Sequence, residues 1–461
     1  MLQKINGRPS RASILLRNAI FPTLFPPTLE YSSPARGTWN IVHTGMLVPE
    51  SQQIYIGAAG CLRGVVLTAE EMGLMQRYAA LEVREKEIAV GDQETFIITG
   101  VSDIIKNLSP VPKAVLMFTS CLHHFMGTDM NYVYRKLREH FPNVDFAPCI
   151  MDPIMSKTGM APEIRERREI YRLLKPASFD NGINIIGNNL ATVESCDLVQ
   201  LIRHADKKVR DWTRCRTYAE FQELAQSEFN VYYHPFTHIA AQDLAKRLGQ
   251  KFLYLPLSYD TDEIKQNLAT LANALGTYLP NYDEKTAQAH TAMTSARRII
   301  GSAPVTVDAS FTFRPFNLAR VLSDYGFNVT QIFADVVPPE DETDFYKLRQ
   351  SHGDIEITAI KNADLRLHER SHPTKTLALG QKAAYLNDTP YFVNLVDGGG
   401  YYGLDGLVKL AELMLEAWHT PKDTRSLIQR KGLGFAECHR SGNVKRQSSM
   451  LTADICTCNF P

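Results

Sequence analysis

From about Tyr31 onward, short apolar runs alternate with stretches whose apolar residues recur at helical spacing. Ala114–Phe118 (AVLMF) contains no polar residue, as a strand covered on both faces requires. Strands are also predicted at Ile54–Gly57, Asp145–Cys149, Ile183–Ile186, Asn230–Tyr233, Phe252–Leu255, Val305–Asp308, Asn328–Phe333, Ile355–Ile360 and Phe392–Val396. Helices fall between them. Met130–His140 starts after Asp129, a favourable N-cap residue, and Glu284–Ile300 reads as one long helix. Beyond Gly403, residues Leu407, Leu410, Ala411, Met414, Ala417 and Trp418 share one helical stripe. This alternation predicts an α/β fold, with parallel sheets flanked by helices on both faces.

Two stretches interrupt the rhythm. Lys175–Gly182 (KPASFDNG) is turn chemistry, and Gly301–Pro304 separates a long helix from a new strand. They divide the chain into an N-terminal arm (1–30), three α/β domains (31–178, 179–302 and 303–425) and a C-terminal tail (426–461). Pro22, Pro26 and Pro27 break any helix in the arm. Within the first domain, Ile164–Glu169 (IRERRE) is a charge run, and such runs are usually solvated helix faces.

Composition narrows the function classes. The 461 residues carry 50 basic and 50 acidic side chains, which gives no electrostatic case for a nucleic-acid or membrane partner. No apolar run reaches the roughly 18 residues of a membrane span. The apolar stretch near the N-terminus is broken by Arg17 and Asn18 and makes a poor signal peptide. Eight cysteines in a chain of this length are too sparse for a disulfide scaffold. A reducing, cytoplasmic setting is expected, with thiols available for structure, redox chemistry or metal.

Two thiols stand out. Cys121 follows Ala114–Phe118 through Thr119 and Ser120, at the carboxyl end of a predicted parallel strand, where open α/β sheets place ligands. Cys61 follows Ile54–Gly57 in the same manner, through Ala58, Ala59 and Gly60. Gly60 and Gly64 let the backbone approach a bulky neighbour and leave amide groups to face anionic sulfur. Singly, each cysteine is either a packed small hydrophobe or a metal ligand. Together they suit one sheet edge. Iron–sulfur clusters usually take four thiolates, so two from one chain leave the set for a second subunit to complete.

Other candidates are less specific. His234 ends a predicted strand before Pro235 and reads as a catalytic proton donor, an iron ligand or a hydrogen-bonded structural residue. His238 lies one helical turn further on. His123 and His124 follow Cys121 closely and are candidate hydrogen-bond partners of a cluster, or packing residues. Cys149 ends a strand; Cys196 and Cys215 read as core. Cys438, Cys456 and Cys458 form either an incidental group or a small metal or redox site. The chain has no P-loop ending in Gly-Lys-Ser/Thr and no Gly-x-Gly-x-x-Gly after a first strand, so neither common nucleotide fingerprint is present.

The ordered set of motifs resembles one family. Gly57–Cys61 (GAAGC) is similar to the glycine-rich segment ending in a cluster-ligating cysteine of nitrogenase component 1 subunits. Lys113–Asp129 contains Thr119-Ser120-Cys121 and then Met126-Gly127-Thr128-Asp129, and resembles the family's strand–Thr-Thr-Cys–Ile-Gly-Asp-Asp segment. Asn181–Gly187 (NGINIIG) resembles the strand that opens its second domain. Asn230–Leu257 resembles its later strand–helix–strand passage, and Gly399–Asp405 (GGYYGLD) its glycine- and tyrosine-rich turn. No one motif is specific; five in the family's order, over about Tyr31 to Trp418, are.

The resemblance implies three Rossmann-like domains and an iron–sulfur cluster shared with a homologous component 1-type subunit in an α2β2 assembly. That cluster would be a 4Fe–4S or a larger P-cluster-like 8Fe–7S centre, and the complex is open to a further iron–sulfur cofactor. A separate ATP-dependent iron protein would deliver electrons for reduction of a small-molecule substrate. The resemblance assigns Cys61 and Cys121 as metal ligands, with Gly60 and Tyr402 on the cofactor side. Departures matter equally. Family subunits usually carry one more cysteine before the glycine-rich segment, yet Tyr31–Gly37 has no thiol. His234 stands where the nitrogenase α-subunit has its cofactor cysteine, and Tyr402 stands near the place of its histidine. Dinitrogen reduction is therefore not expected. The expected function is a nitrogenase-like reductase subunit acting on a methylthio-alkane, another sulfur compound or a tetrapyrrole. The alternatives are a non-catalytic scaffold for metal-cluster assembly and, outside the family, a Rossmann-like enzyme with inert thiols.

Overall fold

The apolar runs become strands of three sheets in the computed structural model, which describes residues 12–31, 39–152, 160–368 and 374–424. Cys438, Cys456, Cys458 and the segment 32–37 lie outside the described residues. β1 (Ser13–Leu15) opens a compact unit that also contains residues 192–206 and the described residues from 256 onward. Residues 39–191 and 207–255 supply a second compact unit. Among the described residues no helix is long and apolar enough to cross a membrane.

The second unit starts with α1 (Ile41–Met46), capped by Asn40, whose side chain accepts from the Val42 amide. There follow β2 (Ser51–Gly57), α2 (Ala59–Glu71), β3 (Tyr78–Glu82), α3 (Glu85–Val90) and α4 (Gln93–Lys106). Next come β4 (Ala114–Thr119), α5 (Cys121–Phe125), α6 (Met130–His140) and β5 (Asp145–Ile150). Asp129 caps α6 as its chemistry predicts, accepting from the Tyr132 amide at 3.0 Å. The strands pair in the order β3-β2-β4-β5, all parallel, with Ile56 opposite Thr119 and Phe118 opposite Cys149.

Successive residues of a strand point to opposite faces, and here both faces are covered. Ile54, Ile56, Val115 and Met117 pack with Ile97, Val101 and Ile105 of α4 and with Val133 and Leu137 of α6. Tyr55, Leu116, Phe118, Ala147 and Cys149 face the other way, among Val42, Leu62, Ile170 and Tyr171. The Tyr55 and Phe118 rings stack there with centroids 4.4 Å apart and planes 8° from parallel. Such a pair contributes about 0.5–1.5 kcal/mol beyond its buried area.

α7 (Pro162–Tyr171) leads to the second sheet, formed by β6 (Asp180–Ile185), β7 (Lys208–Asp211), β8 (Ser227–Tyr232) and β9 (Lys251–Tyr254). These pair in the order β7-β6-β8-β9, again all parallel. α7 overturns one expectation. Its charge run reads as a solvated face, yet Glu166, Arg167 and Glu169 are each 3% exposed or less. The helix packs on β5 and on the helix His238–Leu248, so its charges are enclosed and must be satisfied internally. Arg167 donates to the carbonyls of Glu163 (3.1 Å) and Gly187 (3.2 Å) and to Asn189. Glu169 pairs with Arg168 and Arg172. Burial pushes the Glu166 carboxyl well above the usual carboxylate range, with the neighbouring Arg167 opposing.

The unit that begins with β1 carries β10 (Pro304–Asp308), β11 (Asn328–Phe333), β12 (Glu356–Thr358), β13 (Leu377–Leu379) and β14 (Phe392–Val393). Their order is β1-β12-β11-β10-β13-β14. Five strands are parallel, and β1 closes one edge antiparallel, with Ser13 opposite Thr358. The helix Asp283–Ile300 packs along Leu404–His419, which buries Leu407, Leu410, Ala411, Met414 and Ala417. The runs at Ile355–Ile360 and Phe392–Val396 pair over only three and two residues. β1, β3 and β7, which the pattern misses, lie at sheet edges, whereas β13, also missed, lies inside its sheet and is only three residues long.

One buried cation ties this unit together. Arg314 is 3% exposed and binds Glu263 at 2.8 Å, Asp344 at 2.9 Å and Asp341, itself fully buried. Removing one member of such a group strands the remaining charges. Arg314→Met is expected to lower stability by about 3–5 kcal/mol, read as a reduced urea midpoint. A change within about 0.5 kcal/mol, the scale of ordinary surface substitutions, contradicts the anchoring role.

Candidate functional site

β2 and β4 are parallel neighbours, so their carboxyl ends deliver the chain to the same sheet edge. Beyond Gly57 and Ala58 the chain turns into α2, which places Cys61 in the first turn, its amide bonded to the Ala58 carbonyl at 2.9 Å. The helix dipole there favours an anionic group. Beyond Thr119, Ser120 is the N-cap of α5 and Cys121 its first residue. Cys61 is exposed and Cys121 half-buried. Burial raises the Cys121 pKa, with the charges of Asp152 and Cys61 acting in the same direction. A Cβ built at Gly60 or Gly64 meets nothing within 4 Å, and Ala58, Ala59 and Arg63 are exposed. Among the described residues nothing occupies the space beside these two glycines.

Two buried side chains of the α5 turn find no hydrogen-bond partner among the described residues. Ser120 is 4% exposed and its Oγ has no hydrogen-bond partner. His123 is 3% exposed, and neither ring nitrogen has a well-formed hydrogen bond. Burial lowers its pKa, with the nearby Ile56 carbonyl acting in the opposite direction. Gly57 closes this layer: a Cβ there would lie 2.9 Å from Ser120 Oγ and 3.1 Å from Ser120 Cβ. Sequence reading singles out neither Gly57 nor Ser120, although a strand-terminal glycine beside a serine-capped cysteine is the available signal.

Among the described residues no group of three or more His, Cys, Asp or Glu side chains is placed to hold a metal ion. Two thiols, an unsatisfied hydroxyl and open space above Gly60 and Gly64 fit part of a cluster site. Residues 50–389 match a family model described as nitrogenase component 1 type oxidoreductase. The chain belongs to the nitrogenase component 1 type oxidoreductase family. Solved structures agree at the level of fold. One described as "Nitrogenase Cp1 at pH 6.5" superposes with a TM-score of 0.64 at 12% identity, over 86% of this chain and 94% of that one. Another, "Nitrogenase Cp1 at pH 5", gives 0.55 at 11% identity, over 89% and 94%. Comparison with curated proteins gives no match. The expected architecture, parallel sheets flanked by helices in the nitrogenase component 1 manner, therefore holds.

The other predicted residues have surroundings of their own. His234 is 2% exposed; its Nδ1 accepts from the Phe236 amide at 3.2 Å, and its Nε2 lies 3.1 Å from Arg167 Nη2. Burial, reinforced by Arg167, holds its pKa well below the ordinary value, so the ring is neutral. His238 does not share that environment: it is exposed and pairs with the Tyr232 hydroxyl at 2.7 Å. Tyr402 belongs to the unit that begins with β1, where it is 2% exposed and burial raises its pKa. Cys149 and Cys196 are buried. Burial raises the Cys149 pKa well above normal and pushes that of Cys196 up to about 12.

These environments predict an order of thiol reactivity. In metal-free protein under anaerobic conditions, iodoacetamide modifies Cys61 first and Cys121 more slowly. The Cys121 lag shrinks as pH rises, because its raised pKa leaves less thiolate at neutral pH. Cys149 and Cys196 react at least about 100-fold more slowly, through opening of the fold. Peptide mapping by mass spectrometry reads the order; early modification of Cys149 contradicts it.

Proposed function

We propose that this chain is one subunit of a nitrogenase-like two-component reductase, with Cys61 and Cys121 supplying part of an iron–sulfur ligand set. The observation that carries the reading is the pair of thiols just beyond the carboxyl ends of adjacent parallel strands, one exposed and one half-buried, beside open space. Two ligands are too few for a cluster, so a homologous subunit completes the set, in an α2β2 assembly. An ATP-dependent iron protein supplies the electrons. The substrate is a small molecule, with methylthio-alkanes, other sulfur compounds and tetrapyrroles as candidate classes. His234 and Tyr402 stand where the resemblance puts the cofactor's cysteine and histidine, so dinitrogen is not the substrate we assign.

The chain's own part in this chemistry is simple. Cys61 and Cys121 lose their protons and bind as thiolates. The first turn of α2 favours their negative charge. The glycines at 57, 60 and 64 keep the backbone low around them, and the covered sheet beneath excludes water from one side. A bound cluster supplies one-electron transfer.

Anaerobic co-purification with the partner subunit tests the reading. The complex is expected to be brown and to contain iron and acid-labile sulfide. Cys61→Ala or Cys121→Ala is expected to remove most of both while leaving the fold intact by circular dichroism. Iron-free wild-type complex, or iron retained in both variants, overturns the proposal. Substrate reduction that requires ATP and the iron protein identifies the reductase; transfer of the cluster to a metal-free acceptor identifies the scaffold instead.

A further inference from the structure

Ser120 occupies an N-cap position without capping. A serine there ordinarily accepts from an amide two or three residues on, but its side chain makes no such bond in α5. Its hydroxyl is buried and has no partner among the described residues, an arrangement that folded proteins rarely leave unexplained. The side chain turns toward Gly57 instead. The point where a Gly57 Cβ would sit is 2.9 Å from Ser120 Oγ and 3.8 Å from Cys61 Cβ. The hydroxyl and the base of the Cys61 side chain therefore border one small space, which glycine keeps clear. A neutral thiol accepts hydrogen bonds weakly, whereas a thiolate is a charged acceptor and forms stronger ones. His123 also lacks partners, but its ring borders the Ile56 carbonyl.

We propose that the Ser120 hydroxyl donates a hydrogen bond to the Cys61 thiolate when that thiolate holds the cluster, making Ser120 a positioning residue that raises the cluster's reduction potential. The inference rests on Cys61 being a ligand. A donor to sulfur stabilises the more negative, reduced state over the oxidised one. Removing it shifts the equilibrium toward oxidation.

The test uses the complete complex, purified anaerobically, with wild-type chain, Ser120→Ala and Ser120→Thr. Electron paramagnetic resonance during a redox titration reads the midpoint. Ser120→Ala is expected to keep full iron content and to lower the reduced-to-oxidised ratio about tenfold at fixed potential, 59 mV for a one-electron couple. Ser120→Thr, which restores a hydroxyl, is expected to return to the wild-type midpoint. Resonance Raman spectra supply a second readout: the shift of Fe–S bands on transfer to D2O is expected to shrink in Ser120→Ala. An unchanged midpoint and D2O shift in Ser120→Ala overturn the hydrogen bond while leaving the cluster assignment standing. Loss of iron in Ser120→Ala but not in Ser120→Thr also overturns it, because the oxygen is then a ligand. Iron-free wild-type complex defeats the cluster reading itself, an outcome distinct from both.

Discussion

The site depends on the parallel pairing of β2 with β4. That pairing, and no contact between the thiols themselves, brings two cysteines 60 residues apart to one edge. A register slip of one residue turns every side chain to the opposite face. Here it would break the stack of Tyr55 on Phe118, strip Ile56 and Met117 from their face, and carry Ser120 off Gly57. The buried layers on both sides thus set the position of a group that sits outside them. The precision of the edge is inherited from the core.

Much of this was legible in the sequence because it follows from composition over short windows. A strand with no polar residue, such as Ala114–Phe118, has few alternatives in an α/β chain. The glycine-led Cys61 and the strand-ending Cys121 showed through for the same reason: each is local. What escaped was set by neighbours. β1, β3, β7 and β13 are strands of three to five residues, too short to show a period, and part of the cover over α7 comes from the distant helix His238–Leu248. Ser120 drew no separate reading, because an unsatisfied hydroxyl is spelled like any other serine.

Charge inside this protein is handled in two contrasting ways. Arg314 is surrounded by three carboxylates, so its field is cancelled nearby. Arg167 is held mainly by carbonyl and amide oxygens, and its charge reaches the neighbouring His234. Burial beside that cation keeps the histidine's pKa well below its ordinary value. Arg167 shows why a charge run reads poorly from sequence: the carbonyl and amide groups that hold it are not written into the run.

The antiparallel edge strand β1 has a consequence for how the chain is made. Ser13 and its partner Thr358 are 345 residues apart. At ordinary rates of synthesis, on the order of 5–20 residues per second, β1 waits roughly 20–70 s for β12 to exist. During that interval the parallel strands of residues 51–254 can pair among themselves, since each finds its neighbours within its own stretch. The earliest of the described strands is therefore among the last to find its place, and its docking closes the otherwise open edge at β12 against stray pairing.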